Sequence, residues 1–445
     1  MKNKIIISKP YIKEGVSEIF GSSVKLCAEV TMVNPNTNKK ELKECYFEFE
    51  TSYKEYICNE RSDAFIMGLL TTAMENNMDI EFEAPISEQL YYQMMTYYIP
   101  MVSKYNSTYP MHNISLIGPY ESKVIENEKA VATGCSGGVD SFYTIVKHGK
   151  NSATNEHKLT HLIFNSCGTG DDVKERIISV YKDNMKYLLD LANECDLKLI
   201  YCFNNLYEFY KKPLDSFVTF FTTVYGAAAY ALQKLISVYY ASSGYPITDF
   251  YFDLSKVHGY DPSSFDVFTL SCMNTENIKF YSSGMECSRI EKESYISNDK
   301  SVMKYLKVCN LDEYKTEKME YLNCSECPKC LRTMAQFYAL GKLDNFKEIF
   351  NVEHFLKNKS RSFGKMMALN KKLFVDEMKI EAKKNNIKIP FFAYIYVYFW
   401  YKPIEFLRKV FRNSLFARKI YYKLNLDYKL DGYRGSNYEK YRDKL

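Results

Sequence analysis

The residues best equipped for chemistry in this chain are Ser136-Gly137-Gly138-Val139-Asp140-Ser141, directly behind the apolar run Ala130-Val131-Ala132. An apolar strand, a two-glycine turn and a helix-forming run from Phe142 to His148 make a cradle for phosphate. The glycines let the backbone curl closely around an anion. The helix start behind them offers N–H groups and a positive dipole end, and the serine hydroxyls add donors. Asp140 does not suit a simple anion nest, because its charge repels phosphate. It suits a Mg²⁺ ion lying between carboxylate and phosphate. The stretch reads as a nucleotide-phosphate loop.

Cys324-Ser-Glu-Cys327-Pro-Lys-Cys330 is the second constellation. Three thiols at this spacing, on a turn leading into a helix over 331–340, can converge on one metal ion. Tetrahedral Zn²⁺ requires a fourth ligand, and Cys309 in Leu306-Lys307-Val308-Cys309 is the best candidate. Lys329, Arg332 and the helix start would help hold the thiolates ionised. An iron–sulfur cluster on the same cysteines and a set of ordinary buried thiols are the alternatives.

Other positions are weaker. Ser288-Arg289-Ile290-Glu291-Lys292 follows the turn Ser282-Ser283-Gly284 and reads as a capped helix start, with Arg289 available to an α-phosphate or a substrate carboxylate. A solvated helix start is the plainer account of it. Asp171 and Asp172 lie where a loop at the top of a sheet could reach nucleotide or Mg²⁺, or where a helix is capped. Cys135 and Cys167 could carry sulfur but read better as small buried residues. His258 is a possible substrate contact on a loop.

These residues need elements to position them. From Glu128 onward, strands at Ala130–Thr133, His161–Asn165, Lys198–Phe203 and Ile236–Ala241 alternate with helices at Asp140–His148, Val173–Glu194 and Pro213–Leu235. That alternation predicts a parallel sheet flanked by helices, with ligands at the carboxyl ends of the strands. Residues 1–127 read as an α+β domain with strands at Lys25–Val33, Cys45–Thr51 and Ile80–Phe82 and helices from Ser62 and Ser87. Residues 128–345 hold the loop and the cysteines, and residues 346–445 form a helical, aromatic and basic extension. A chain of 445 residues calls for two or three such domains.

Composition excludes several classes. A hydrophobic share of 46% with 25% charged residues is that of a globular protein. Ile5-Ile6-Ile7 is too short for a signal-peptide core, and no apolar run approaches the ~20 residues of a membrane span. Thirteen cysteines without an export signal point to a reducing cytoplasm. The net charge of +5 is uneven: from Asn351 onward 22 Lys+Arg face 9 Asp+Glu, leaving residues 1–350 acidic. A nucleic-acid platform on the catalytic body is therefore not expected. The run Phe391–Lys402, with Phe406, Leu407, Val410 and Phe411 among Arg408, Lys409 and Arg412, has an apolar face with basic flanks. It suits packing on the body or on a second subunit, a peripheral membrane contact, or, third, RNA.

No lysine follows Gly138 as a Walker A loop requires, and a Rossmann fingerprint needs three spaced glycines and an acidic end to the next strand. The hexapeptide instead resembles the SGGxDS loop of the PP-loop ATP pyrophosphatases, the adenine nucleotide alpha-hydrolase-like enzymes. That resemblance implies a HUP-like fold and cleavage of Mg²⁺-ATP between the α and β phosphates. AMP passes to a carbonyl or carboxylate oxygen of a small molecule, and a nitrogen nucleophile then displaces it. Ser136, Gly137, Gly138, Val139 and Ser141 would hold pyrophosphate, with Asp140 on Mg²⁺. Sulfur insertion, sulfonucleotide reduction and a non-catalytic nucleotide-binding module are the alternatives. The cysteine group behind such a loop is similar to that of 7-cyano-7-deazaguanine synthase-like proteins, where it holds a structural zinc. Cys309 lies further upstream of Cys324 than the synthase's fourth cysteine does. The resemblance spans roughly Lys129 to Gly341, so the synthase's own substrate is not carried over.

Overall fold

A computed structural model describes residues 3–34, 39–105, 111–166, 174–210, 213–250, 265–309 and 320–401. Cys167, Asp171, Asp172, His258 and the segment from Lys402 onward lie outside the described residues. The chain falls into two compact units. Met1–Ser136 with Thr144–Glu286 form one; Gly137–Tyr143 with the described residues from Cys287 onward form the other.

The first unit is built on one large, mostly parallel mixed sheet. Its strands are β1 (Asn3–Ile7), β2 (Tyr11–Ser17), β3 (Gly21–Asn34), β4 (Lys39–Glu50), β5 (Met78–Phe82), β7 (Leu116–Ile117), β9 (Ala130–Gly134), β10 (His161–Ser166), β11 (Lys198–Asn204), β12 (Ile236–Ser242) and β13 (Lys279–Ser283). The short pair β6 (Ile86–Ser87) and β8 (Tyr120–Glu121) stands apart. Strand order is β13-β12-β9-β10-β11-β4-β3-β1-β5-β7, with β2 on β3. Helices α1 (Asp63–Glu75), α2 (Glu88–Gln93), α3 (Ile99–Tyr105), α5 (Lys174–Glu194), α6 (Pro213–Ala231) and α7 (Asp266–Cys272) accompany it, as does α4 (Val139–His148), whose first residues to Tyr143 belong to the second unit.

Strands β9 to β13 pair in parallel, as the alternating pattern predicts. Their order places β10 and β11 on one side of β9, and β12 and β13 on the other. This is the doubly wound arrangement, and the chain reverses direction across the sheet beside β9. β9 itself reads Ala-Val-Ala-Thr-Gly and its first four residues are buried, the composition of a strand covered on both faces. An antiparallel register joins β11 to β4 at Phe203–Glu48 and Asn204–Phe47. Residues on either side of position 127 thus contribute to one sheet. They also share one core, in which Phe47, Phe65 and Leu69 join Ile163, Ile200 and Tyr230. Gly68 of α1 allows close approach there, since a Cβ would lie 2.8 Å from the Leu206 side chain.

The second unit is helical: α8 (Arg289–Ile296), α9 (Lys300–Tyr305), α10 (Pro328–Ala339), α11 (Val352–Lys357), α12 (Lys359–Leu369), α13 (Lys372–Lys384) and α14 (Phe391–Tyr396). Phe337 stacks on Phe346 at 3.8 Å between ring centroids, Tyr338 meets Phe363 edge to face, and Phe355 packs tilted against both. No helix among the described residues is long and apolar enough to cross a membrane.

Candidate functional site

The loop leaves β9 at Gly134 and turns at Gly137, whose φ of 72° falls in the left-handed region that a side chain disfavours. Its carbonyl accepts a hydrogen bond from the Lys307 N–H at 2.9 Å, and Phe142 N–H closes the first helical turn onto the Gly138 carbonyl at 2.9 Å. Val139 and Phe142 are buried and anchor the start of α4, Ser141 is buried beside them, and Ser136 is exposed. The helix has ten residues, enough for its dipole to act at this end.

Asp140 is the anion of a dense charge cluster supplied by α8. Ser288 caps that helix as its sequence predicts, with the Glu291 carboxylate accepting from the Ser288 N–H at 2.7 Å. Residues 289, 292 and 293 lie on one face of α8 at helical spacing. Lys292 Nζ donates to Asp140 Oδ1 at 3.0 Å, and Arg289 Nη1 donates to Oδ2 at 3.1 Å. Burial works against the charged carboxyl, but the Lys292 ammonium and then Arg289 outweigh it and hold Asp140 below the usual range. The sequence singles out Asp140 for Mg²⁺ and Arg289 for an α-phosphate or a substrate carboxylate. In the structure the two side chains hold each other. Lys292 was not singled out; its position three residues after Arg289 was the available signal.

Glu293 completes the cluster. Arg289 Nε stands 3.3 Å from its carboxylate without hydrogen-bond geometry, and neither carboxylate oxygen has a hydrogen-bond partner. Burial pushes Glu293 up to about 8, against the pull of Arg289 and Arg332. A raised carboxyl pKa favours folding below the unfolded value of about 4.5, and that contribution fades as pH rises towards 8. Glu293→Gln should flatten the decline in stability between pH 5 and pH 8 by on the order of 3 kcal/mol. Parallel urea curves for both proteins at both pH values would count against this. With Glu293 neutral, Asp140, Arg289 and Lys292 sum to one positive charge.

The four cysteines converge. The sulfurs of Cys309, Cys324, Cys327 and Cys330 all lie within 4.8 Å of one another, and those of Cys324 and Cys330 are 3.8 Å apart. Metal–sulfur bonds of about 2.3 Å at tetrahedral angles put ligand sulfurs about 3.8 Å apart. In a multi-iron cluster the thiolates are divided among different irons and spread wider. The set is therefore sized to hold a single metal ion. Ser325, at φ 62°, turns the chain so that the Cys327 N–H meets Cys324 Sγ at 3.3 Å. Cys327 caps α10, accepting from the Cys330 N–H at 3.4 Å, with Pro328 in the first turn. Hydrogen bonds from Cys309, then Cys327 and Cys330, hold the Cys324 thiol below its ordinary value. Arg332 lies 4.3 Å from the Phe374 ring centroid.

Asn323 brings Cys309 to the other three, and sequence reasoning gave it no role. Its side-chain oxygen accepts from the N–H groups of Val308 at 2.8 Å and Cys309 at 3.2 Å. Its amide donates to the carbonyls of Leu306 at 2.8 Å and Ile349 at 3.3 Å. Buried asparagine thus ties the upstream segment to the cysteine turn. Asn323→Ala is expected to lower metal affinity about 10- to 100-fold while keeping all four thiols. A chelator competition that gives equal affinities would contradict this role. Of the remaining candidates, Cys135 is buried in the first unit, as a small core residue would be.

Fold and site together define a mixed α/β protein with a glycine-turned loop behind strand β9 and a cluster of four cysteines spaced to hold a metal ion. No family model, curated protein or solved structure gives a significant match to the chain.

Proposed function

We propose that the chain is an ATP-dependent enzyme of the PP-loop pyrophosphatase type, which adenylates an oxygen of a small molecule and releases pyrophosphate. The observation that carries this reading is the placement of Ser136–Ser141 directly behind β9, the strand beside which the sheet order reverses. Ligands of doubly wound sheets bind outside the carboxyl ends of the strands at such a point. Gly137 in the left-handed region and the helix start that follows suit an anion.

The residues present fit a polyphosphate better than they fit a Mg²⁺ ion held by Asp140. Each Asp140 oxygen already faces a cation at about 3 Å, so a divalent ion there would have to displace Arg289 or Lys292. Asp140 acts instead as the strut that fixes those two side chains. Preorganised cations next to a leaving pyrophosphate stabilise the charge that develops on it. ATP supplies the adenylyl group and the leaving group. What this chain contributes is binding, orientation and positive charge. Displacement of the adenylate by nitrogen is the preferred second step.

The four-thiolate centre is assigned to Zn²⁺ in a structural role. All four ligand positions are filled by protein sulfur, which leaves none open for substrate. Binding calorimetry with ATP and with pyrophosphate tests the loop. Both should bind one site and compete, and Gly137→Val should abolish both. Binding of neither ligand to the wild-type chain would sink the reading.

A further inference from the structure

Helix α14 and the π-helical turn Val397–Tyr401 that continues it carry an aromatic surface unrelated to the nucleotide loop. The helix is seated on α12 by its small side. Ala393 is buried, and a Cβ on Gly364 would lie 2.7 Å from Tyr396 Cβ and 3.1 Å from the Ala393 carbonyl. Lys379 of α13 covers the Tyr394 ring at 5.2 Å. Away from this seat, Phe391, Phe392, Tyr398 and Phe399 are 73%, 63%, 60% and 78% exposed. Large aromatic side chains are rarely left so bare unless something covers them.

Charge decides what covers them. Residues 391–401 hold no ionisable acid or base other than tyrosine, whereas residues 352–390 hold 10 Lys+Arg against 4 Asp+Glu. Lys383, Lys384 and Lys388, directly before the aromatic run, are exposed. The sequence after it, 402–445, adds 12 Lys+Arg against 5 Asp+Glu. A second copy of this surface would bring like charges together. Single-stranded nucleic acid wants cations interleaved with the aromatic rings, and here the cations flank them. An uncharged aromatic band with basic flanks matches the interface of an anionic bilayer. Eleven helical residues reach only about 16 Å, so the band can lie in that interface but not cross it.

The geometry points to a peripheral membrane-docking surface, in which Phe391, Phe392, Tyr398 and Phe399 enter the headgroup region of anionic lipid. The sequence holds a single tryptophan, Trp400, so tryptophan emission comes from one position. The full chain is mixed with phosphatidylcholine vesicles with or without phosphatidylglycerol, and flotation and tryptophan emission are followed. At least tenfold stronger flotation with the anionic vesicles is expected, with a blue shift of emission and loss of both at high salt. Phe392→Ser with Phe399→Ser should lower partition at least tenfold at an unchanged melting temperature, since both side chains are exposed. Lys383→Glu with Lys384→Glu, which leaves the aromatic residues in place, should weaken it as well. Equal partition to neutral vesicles or no flotation would overturn the assignment. So would dimerisation that the serine variant abolishes, or RNA retention that it abolishes.

Discussion

Cys330→Ser is expected to drop bound metal from about one ion per chain to below about a tenth of that, and to unfold much of the second unit. Cys330 is buried and sits within α10, so its loss removes a ligand and leaves three thiols crowded without their ion. Structural zinc sites contribute about 10–16 kcal/mol in small peptides, and a site inside a larger unit should still lose at least about 4 kcal/mol with one ligand gone. The damage should also reach the loop. Arg332 follows Cys330 by two residues on α10, and its charge acts on both Asp140 and Glu293. Metal analysis by inductively coupled plasma mass spectrometry with thermal unfolding checks both halves of the expectation. A variant that melts with the wild type despite losing its metal would show that the centre is not structural.

Asp140→Ala should produce the second large effect. It strips Arg289 and Lys292 of the carboxylate between them, and Lys292 is almost wholly buried. Removing one member of a buried ion pair costs about 3–5 kcal/mol, and the lower end applies because a quarter of the Asp140 side chain is exposed. Adding Lys292→Met should recover at least about 1 kcal/mol, because the second substitution removes the charge that the first leaves behind. Turnover of ATP should fall at least about 100-fold in Asp140→Ala, since the cations next to the leaving group lose their fixed positions. Additive destabilisation in the double variant would mean that the two side chains do not act as a pair.

The sequence revealed what is local. The run from Ala130 to His148 announces strand, turn and helix within twenty residues, and Cys324, Cys327 and Cys330 announce a ligand turn by spacing alone. Long alternating or apolar runs made β3, β4, β10 and β11 recognisable, although the ends moved by a few residues. Polar or short strands escaped. Ser282-Ser283-Gly284 was read as a turn, yet Ser282 and Ser283 are the end of β13, which pairs with β12 at the sheet edge. Ile5-Ile6-Ile7 was weighed only as a signal-peptide core, for which it is too short, and it belongs to β1, an interior strand between β3 and β5.

What joins distant segments was not legible. Asp140 meets residues 149 and 152 positions away, and no spacing rule encodes that. The same holds for β4 on β11, and for Asn323, whose role depends on a carbonyl 26 residues on. A motif states which groups are available; the fold decides which of them spend their charge on one another. For Asp140 that shifts the reading from a metal ligand to a support for two cations.

The loop at Ser136–Ser141 is proposed to break ATP between its α and β phosphates. The purified chain, incubated with Mg²⁺, a small-molecule extract of its source cells and ATP labelled at the α phosphate, should yield labelled AMP and free pyrophosphate, and the Asp140→Ala variant should yield neither. Labelled ADP, or no consumption of ATP, would contradict it.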